Sequence, residues 1–313
     1  MQKVLVTGGA GFIGSHLCDF LIAKDFKVIC LDNLLTGSKK NIAQLLENPN
    51  FEFIEEDVSQ SLSSSLSDIN YIFHLASPAS PIDYQNYPEE TLLANSMGTI
   101  NMLELAKKSG AKVLITSTSE AYGDPLEHPQ KETYFGNVNT FGPRSSYDES
   151  KRFAETATYV YLHKYNLDAR VIRIFNTFGP RMQKDDGRVV STFINKALIG
   201  DTINIDGDGT QTRSFCYVDD MVEGIYKALF NENTKGEIFN LGNPDEYTMK
   251  DLAEKIVKMI DSKSEIKYTG QFRPDDPMRR KPDITKAKTV LGWEPKVGIE
   301  EGIQKTIEYY QSI

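Results

Sequence analysis

Cysteine is scarce in this chain of 313 residues, and Cys18, Cys30 and Cys216 match neither a disulfide framework nor a zinc site in their spacing. The four histidines likewise lack the HExxH or HxH spacing of a metal centre. We therefore expect three reduced thiols and no metal, and metal-assisted hydrolysis is excluded as a function.

Long hydrophobic runs and an excess of positive charge are also missing. No window approaches the run of about 18 apolar residues that a membrane helix needs, and Met1 leads almost directly into VLV and glycine, so neither a membrane span nor a signal peptide is expected. Lysine and arginine number 35 against 44 aspartate and glutamate, which disfavours nucleic acids and anionic membranes as partners. The sequence therefore predicts a cytoplasmic protein without either partner.

The first half of the chain alternates short apolar runs with longer segments of helical periodicity. Helices are predicted at 14–24, 89–109 and 148–165. The predicted strands are KVLVT (3–7), KVICLD (27–32), FEFIEED (51–57), YIFHLA (71–76), KVLITSTS (112–119) and ARVIRIFN (169–176). Strands joined by crossover helices form parallel sheets, so this rhythm predicts an α/β fold with a Rossmann-type, doubly wound sheet.

The pattern changes after Gly179 and Pro180. Further helices are predicted at 189–199, 219–231, 248–260 and 299–311, around a turn-rich stretch at 200–218. We expect a dinucleotide-binding domain at 1–178, with later segments near 212–241 packing back onto it. A smaller mixed α/β lobe that binds the substrate is expected at 179–313.

Glycines directly follow the first predicted strand and open a helix. Gly8, Gly11 and Gly14 in TGGAGFIG let backbone N–H groups approach a pyrophosphate. Asp32 ends the second strand, where its carboxylate can bind a ribose hydroxyl and would repel a 2′-phosphate, so NAD is predicted rather than NADP. Asp57 and Val58 end the third strand and are predicted to flank the adenine, with an ordinary strand-end aspartate as the alternative.

Tyr147 and Lys151 lie four residues apart on a predicted helix and therefore share one of its faces. The pKa of a phenol, about 10, must fall by about 3 units before the group serves as a base near neutrality. A lysine ammonium and an oxidised nicotinamide can lower it by that amount. A serine and threonine run at 117–119 ends the preceding strand and completes a predicted catalytic centre.

Taken together, TGGAGFIG, STSEAYG at 117–123 and YDESK at 147–151 resemble the extended short-chain dehydrogenase/reductase family. Longer motifs are most similar to the UDP-glucuronic acid decarboxylases of that family, along the whole chain. They are HLASPASP (74–81), GPRSSYDESKR (142–152), RIFNTFGPRM (173–182), GDGTQTRSFCYVDD (207–220), DDPMRRKPDI (275–284) and LGWEP (291–295).

This resemblance implies conversion of UDP-glucuronic acid to UDP-xylose with NAD as a catalytic cofactor. Oxidation at C4 makes a ketone β to the carboxylate, and protonation at C5 and reduction follow the loss of CO2. It implies Tyr147 as the base, Lys151 as its partner, and Thr118 with Ser119 as donors to the C4 oxygen. Glu120 would orient the sugar or a water, and Arg213 would bind the substrate carboxylate.

Further contacts are implied by the same resemblance. Cofactor contacts are expected from Phe12, Ile13, Asn33 and Leu75, and substrate contacts from Asn176, Arg181, Arg188, Tyr217 and Arg279, besides Arg213. The family commonly pairs two subunits through the helices at 89–109 and 148–165, so a homodimer is expected. The stripe Phe153, Ala157, Tyr161 is equally compatible with intramolecular packing.

Two other classes of function stay open at the sequence level. A nucleotide-sugar 4,6-dehydratase or 4-epimerase shares the oxidation at C4, but dehydratases typically have aspartate where this chain has Ser119. A regulator that binds NAD without turnover typically loses the tyrosine or lysine, and both are present here. Neither the released product, UDP-xylose or a 4-keto pentose, nor the preferred nucleotide base follows from residue identity.

Overall fold

The computed structural model describes residues 1–63, 66–185, 187–272 and 275–313. Its strands, in chain order, are β1 (Lys3–Thr7), β2 (Lys27–Leu31), β3 (Phe51–Ile54), β4 (Tyr71–His74), β5 (Lys112–Thr118), β6 (Ala169–Ile174), β7 (Thr177–Phe178), β8 (Ile203–Ile205), β9 (Thr212–Ser214), β10 (Cys216–Tyr217), β11 (Ile238–Leu241), β12 (Glu246–Thr248), β13 (Ile266–Tyr268) and β14 (Arg279–Arg280).

The α-helices are α1 (Phe12–Ile22), α2 (Pro81–Asn86), α3 (Pro88–Leu93), α4 (Thr99–Ser109), α5 (Ser145–Tyr165), α6 (Val189–Ile199), α7 (Val218–Phe230), α8 (Met249–Ile260) and α9 (Ile299–Gln311). Short 3₁₀ segments lie at Lys39–Leu45 and Ser119–Tyr122, and π-helical segments at Ala94–Gly98 and Ala287–Leu291.

The main sheet confirms the predicted doubly wound architecture. Its strand order is β11-β6-β5-β4-β1-β2-β3, and all of its pairings are parallel. The order reverses between β1 and β4, and ligands of such sheets bind in the crevice at the carboxyl ends of the strands at that point. The fold therefore places the glycine-rich turn after β1 at the expected site of a dinucleotide.

Both faces of this sheet are buried, because alternate side chains of its strands pack into two different hydrophobic cores. Val4 and Val6 of β1 pack in one core with residues of α1 and α7, whereas Leu5 packs in a second core with residues of α4 and α5. Successive side chains of a strand point to opposite faces, and a strand buried on both is apolar throughout. The continuous apolar runs of the sequence thus follow from a sheet between two helical layers.

The predicted helices are present, with their ends displaced by a few residues. The segment predicted at 89–109 is helical from Pro88 to Ser109, but its middle, Ala94–Gly98, forms a π-helical turn. The strand β11 was not predicted, because a run of four residues carries little periodicity. It pairs with β6 and adds a seventh strand to the main sheet. The proposed division at 178 stays a prediction.

The remainder of the C-terminal half is built from short strands and three packed helices, α6, α8 and α9. Strand β9 lies between β12 and β14, and the register of the parallel pair β9 and β14 sets Arg213 opposite Arg280. Residues that are opposite one another in neighbouring strands share a face of the sheet. Over the described ranges, no helix is long and apolar enough to span a membrane.

Candidate active site

A continuous cleft in the described part of the chain runs from the glycine-rich turn after β1 to the strands β9 and β14. It encloses about 360 Å³, which is within the range of small-molecule sites. All of the residues predicted from the sequence to bind the cofactor line it: Gly8, Gly11, Phe12, Ile13, Gly14, Asp32, Asn33, Asp57, Val58, Leu75, Tyr147 and Lys151. The predicted catalytic residues Thr118, Ser119, Glu120 and Arg213 line the same cleft.

The glycine-rich turn has no room for side chains at two of its positions. A Cβ on Gly14 would lie 2.1 Å from the Gly8 carbonyl oxygen, and one on Gly8, whose φ is +69°, would lie 2.8 Å from the Ala76 backbone. The N–H of Gly11 already donates to the Gly8 carbonyl oxygen at 3.1 Å, which closes the turn. At its glycines, the turn that leads into α1 therefore presents backbone to the cleft, and this cradle fits the pyrophosphate of a dinucleotide.

Asp32 is fixed at the end of β2 by two backbone amides. Its Oδ2 accepts from the Ala10 N–H at 3.0 Å and its Oδ1 from the Leu34 N–H at 2.8 Å. Burial raises the pKa of this carboxyl group, and the two amide hydrogen bonds oppose that shift. A carboxylate oxygen has further lone pairs, so Asp32 can still accept from a ribose hydroxyl. This arrangement fits NAD, because a 2′-phosphate would meet a fixed negative charge.

Tyr147, Thr118 and Lys151 meet in the middle of the cleft. Tyr147 is buried, its ring stacks on that of Tyr84 with centroids 5.0 Å apart, and Thr118 is close enough to its hydroxyl to lower the pKa of that group. Lys151 Nζ donates to the Thr116 carbonyl oxygen at 2.9 Å and lies 5.9 Å from the Tyr147 ring centroid. The four-residue spacing on α5 thus brings phenol and amine to the end of β5.

Burial has the largest effect on the pKa of both titratable groups at this centre. Burial, and after it the Glu120 carboxylate, raise the pKa of Tyr147 above its ordinary value, whereas Thr118 and Arg188 lower it. Burial also lowers the pKa of Lys151 to about 7. The expected fall in the pKa of the phenol requires an oxidised nicotinamide as well as the lysine ammonium, so it stays a prediction for the NAD-bound protein.

A cluster of arginine and acidic side chains forms the far wall of the cleft. Glu120 forms ion pairs with Arg144 and with Arg280, whose Nη1 lies 3.1 Å from Glu120 Oε1. Asp148 Oδ2 lies 3.9 Å from Arg144 Nε. Burial would raise the pKa of Glu120, but Arg280 and Arg144 outweigh it and lower the pKa to about 2. Glu120 is therefore an anion held between two guanidinium groups.

Arg213 and Asp148 complete this cluster. Arg213 is buried and donates to Asp276 Oδ2 at 2.8 Å. Burial, opposed by Asp276, lowers the pKa of Arg213 to about 10, so its guanidinium is charged at neutral pH. Burial, and then the negative charge of Glu120, raise the pKa of Asp148 to about 8, so that this carboxyl group is protonated near neutrality.

Two of the residues predicted to contact the substrate do not belong to the described lining of the cleft. The lining of the cleft, taken over the described residues, includes Arg280 but not Arg279. Arg279 is exposed, since successive residues of β14 point to opposite sides and its neighbour takes the inner position. Tyr217 packs in the hydrophobic core with its ring 5.8 Å from that of Phe178. Asn176, Arg181 and Arg188 do line the cleft.

Sequence reasoning missed Tyr84, Arg144, Asp148, Asp276 and Arg280. Two of these had a local signal, since Arg144 and Asp148 lie in GPRSSYDESKR, three residues before Tyr147 and directly after it. The other three come from distant segments and have no spacing relation to the catalytic motif. Arg181 is held by an ion pair with Asp19 at 2.6 Å, and Arg188 lies over the Phe12 ring at 5.6 Å.

Comparison with known proteins identifies similar chains. The family model described as GDP-mannose 4,6 dehydratase matches residues 5–306. UDP-glucuronic acid decarboxylase 6 of Arabidopsis thaliana is 54% identical over 303 residues, which cover 96% of this chain and 87% of that protein. UDP-glucuronic acid decarboxylase 1 of Xenopus tropicalis is 50% identical over 310 residues, 99% of this chain and 72% of the relative.

Solved structures include chains of the same architecture. The UDP-glucuronic acid 4-epimerase of Bacillus cereus, in complex with UDP-glucuronic acid and NAD, superposes with a TM-score of 0.91. It is 30% identical, and the match covers 99% of both chains. The similarity therefore extends over the cleft as well as over the central sheet.

Proposed function

This chain belongs to the GDP-mannose 4,6-dehydratase family of extended short-chain dehydrogenases/reductases, and from that membership we propose that it converts UDP-glucuronic acid to UDP-xylose. The observation that carries the proposal is one cleft that joins a dinucleotide cradle, a Tyr147–Thr118–Lys151 centre and buried arginines able to hold a carboxylate. Relatives at 50 to 54% identity named UDP-glucuronic acid decarboxylases support it. The chain is thus an NAD-dependent carboxy-lyase.

The reaction needs a redox step, because loss of CO2 from the unoxidised sugar would leave a carbanion at C5 that nothing stabilises. A ketone at C4 is β to the C6 carboxylate, so the electron pair released with CO2 is delocalised onto the C4 oxygen as an enolate. NAD held by the turn of Gly8, Gly11 and Gly14 and by Asp32 would supply the hydride acceptor for this oxidation and the hydride donor for the final reduction at C4. The chain's own residues have to move protons, hold the carboxylate and stabilise the enolate oxygen.

Tyr147 takes the proton of the C4 hydroxyl. Its phenol is buried beside Thr118, so a sugar hydroxyl between the two would bond to both. The raised pKa of Tyr147 means that positive charge must be present when it acts as the base, and Arg188 already lowers that pKa. Lys151, whose pKa is about 7, is poised to gain or lose a proton near neutrality.

Thr118 and Ser119 end β5, where a hydroxyl can donate to the C4 oxygen as it becomes an enolate. Thr118 is also fixed, because its Oγ1 accepts from the Glu120 N–H at 3.2 Å. Glu120 is an anion and so orients sugar hydroxyls or a water molecule as an acceptor. A protonated Asp148 beside Arg144 is the local store from which a proton can reach C5 through water.

Arg213 and Arg280 hold the C6 carboxylate in this proposal. The two residues are opposite one another in β9 and β14, so their guanidinium groups share one face and meet in the cleft. Charge-assisted hydrogen bonds from such groups fix the carboxylate's orientation. Because they bind the carboxylate in the ground state too, they position it more than they accelerate its loss. Arg181, Arg188 and Asn176 are proposed to bind the UDP moiety.

We also propose a homodimer and a cytoplasmic location. Apolar side chains on the helical segments 88–109 and 145–165 are exposed by about two-fifths or more, as expected for a surface covered by a second copy: Leu92, Met97, Phe153, Tyr159, Val160 and Tyr165. Ala157, by contrast, is buried within the subunit, so the Phe153–Ala157–Tyr161 stripe is divided between core and surface. The three cysteines are free, which fits a reducing compartment.

The test is incubation of the purified protein with UDP-glucuronic acid and NAD, followed by mass spectrometry and proton NMR of the nucleotide sugar. Loss of CO2 with a hydroxyl at C4 is the expected result. Loss of CO2 with a ketone at C4 would identify a decarboxylating dehydrogenase. A C4 epimer that retains its carboxylate, or a chain that binds NAD without turnover, would overturn the proposal.

Matched arginine variants connect this assay to the site. Arg213→Ala is expected to abolish most of the CO2 release, because it removes a buried guanidinium that binds the substrate carboxylate. Arg279→Ala removes the same charge from the exposed side of β14 and should leave the rate close to that of the wild type. Equal losses in both variants would show that overall charge, not contact with the carboxylate, governs the rate.

A further inference from the structure

Asp276 contacts two of the cleft arginines from within the chain. Its Oδ2 accepts from Arg213 Nη2 at 2.8 Å, and its Oδ1 lies 3.4 Å from Arg144 Nη1. The other terminal nitrogen of Arg213, Nη1, donates to the carbonyl oxygens of Thr212 and Met278, at 2.8 and 3.4 Å. The backbone therefore fixes one edge of the Arg213 guanidinium, and a carboxylate of the protein itself occupies Nη2.

The acidic side chains of the cluster differ in how readily they could leave it. The Glu120 and Asp148 side chains are 14% and 9% exposed, whereas that of Asp276 is 34% exposed. Glu120 is held between Arg144 and Arg280, and returning a buried, paired ion to water requires breaking both contacts. An ion pair of a partly exposed carboxylate is weak, because water and salt screen it. Of the three carboxyl groups, that of Asp276 therefore requires the least free energy to leave its arginine partners.

We propose that Asp276 occupies, on Arg213, the position of the substrate carboxylate, and that the substrate displaces it on binding. The inference rests on the proposed function, because it requires a sugar nucleotide that carries a carboxylate. When CO2 leaves, the competing carboxylate is gone and Asp276 pairs with Arg213 again. The product is then no longer held by the arginines that positioned its precursor.

Specificity follows from this competition. A sugar nucleotide without a carboxylate, such as UDP-glucose or UDP-xylose, offers nothing that replaces Asp276 on Arg213. To displace Asp276, such a ligand would have to leave the buried Arg213 guanidinium without a carboxylate partner, which lowers its affinity. The enzyme would thus select against sugar nucleotides that lack a carboxylate. Asp276 is therefore a specificity-determining residue in this proposal.

The experiment compares Asp276→Asn with Asp275→Asn, both in a Tyr147→Phe background saturated with NAD, so that the ligand is not turned over. The neighbouring Asp275 accepts a hydrogen bond from the Asn139 amide at 3.0 Å, and its variant makes the same change of charge. Calorimetry measures the Kd of UDP-glucuronic acid and of UDP-xylose. We expect Asp276→Asn to tighten UDP-glucuronic acid about three- to tenfold, the scale of one partly exposed ion pair, and to change the Kd of UDP-xylose by less than about twofold.

Each other result contradicts the inference. An unchanged Kd for UDP-glucuronic acid would show that Asp276 does not compete, and a weakened one would show that it orients Arg213. Equal tightening of both ligands, or the same effect from Asp275→Asn, would assign the effect to overall charge. If the wild-type protein releases no CO2 from UDP-glucuronic acid, the proposed function fails and the inference with it. If CO2 is released and the Kd does not respond, only the inference fails.

Discussion

The two halves of the cleft are held together in different ways. In the cofactor half, backbone groups fix the geometry: the Gly14 position is closed against the Gly8 carbonyl oxygen, and Asp32 is held by two amides. In the substrate half, side-chain charges hold one another, with Glu120 between Arg144 and Arg280. The first half is a fixed cradle, and the second is a set of ion pairs that a charged ligand can rearrange.

This difference predicts how each half fails. A change in the cofactor half acts through steric exclusion and should alter NAD affinity. A change in the substrate half acts through charge, and should alter turnover and pH dependence while NAD still binds. Tyr147, the proposed base, lies between the two halves and serves as the reference for both.

Tyr147→Phe should give the largest effect. It removes the hydroxyl that takes the C4 proton, and a positioned general base is worth about 10²- to 10⁴-fold in rate. The ring remains to stack on Tyr84, so NAD affinity should change by less than about twofold. The measurements are CO2 release under single-turnover conditions and NAD titration by fluorescence. Tyr84→Phe keeps the stack and the base, and a comparable loss of rate in that variant would contradict the assignment.

Arg280→Ala should follow, with a loss of about 10²-fold in turnover, because the substrate carboxylate is then no longer held in position. Without Arg280 the Glu120 carboxylate keeps Arg144 but loses a partner that lowers its pKa. The acidic limb of the pH–rate profile should therefore move to higher pH. Arg279→Ala is the matched control on the outer side of β14. If both variants lost activity equally, the inner position of Arg280 would not be what matters.

The same contrast explains what the sequence could predict. Gly8, Gly11, Gly14 and Asp32 follow strand ends directly, so local patterns placed all of them correctly in the cleft. Tyr147 with Lys151 was predictable from helical spacing. The choice between Arg279 and Arg280 depends on the register of a two-residue strand against β9, and no periodicity is visible over two residues.

Tyr217 illustrates the second limit of sequence reasoning. The family resemblance implied a substrate contact for Tyr217, but β10 pairs with β7 and directs the ring into the core beside Phe178. Similarly, the contact between Asp276 and Arg213 joins residues that are 63 positions apart along the chain. Contacts of this kind are set by tertiary packing, which a local pattern does not encode.

Gly14→Ala tests the rigidity of the cofactor half. The new Cβ would lie 2.1 Å from the Gly8 carbonyl oxygen, so the turn must shift and its amides move away from the pyrophosphate. We expect NAD to bind about 10- to 100-fold more weakly, equivalent to the loss of one or two charge-assisted hydrogen bonds. Gly298→Ala is the control, because a Cβ there meets nothing within 4 Å. Unchanged NAD affinity in Gly14→Ala would show that the turn adapts.

Asp148→Asn should give the smallest effect and probes the charge balance of the substrate half. The folded-state pKa of Asp148 is raised to about 8 from an ordinary value of 3.8, so the folded protein retains a proton that the unfolded chain has lost. This group's contribution to stability is fully present below pH 3.8 and is lost as the pH rises to about 8. The difference in Tm between wild type and variant should therefore change between pH 3.8 and about pH 8 and stay constant above pH 8. Each kcal/mol of difference in the free energy of unfolding shifts Tm by about 2 to 4 °C. A difference that is flat between pH 4 and pH 8 would mean that Asp148 is ionised in the folded protein, and the proton store proposed for C5 would then have to be sought elsewhere.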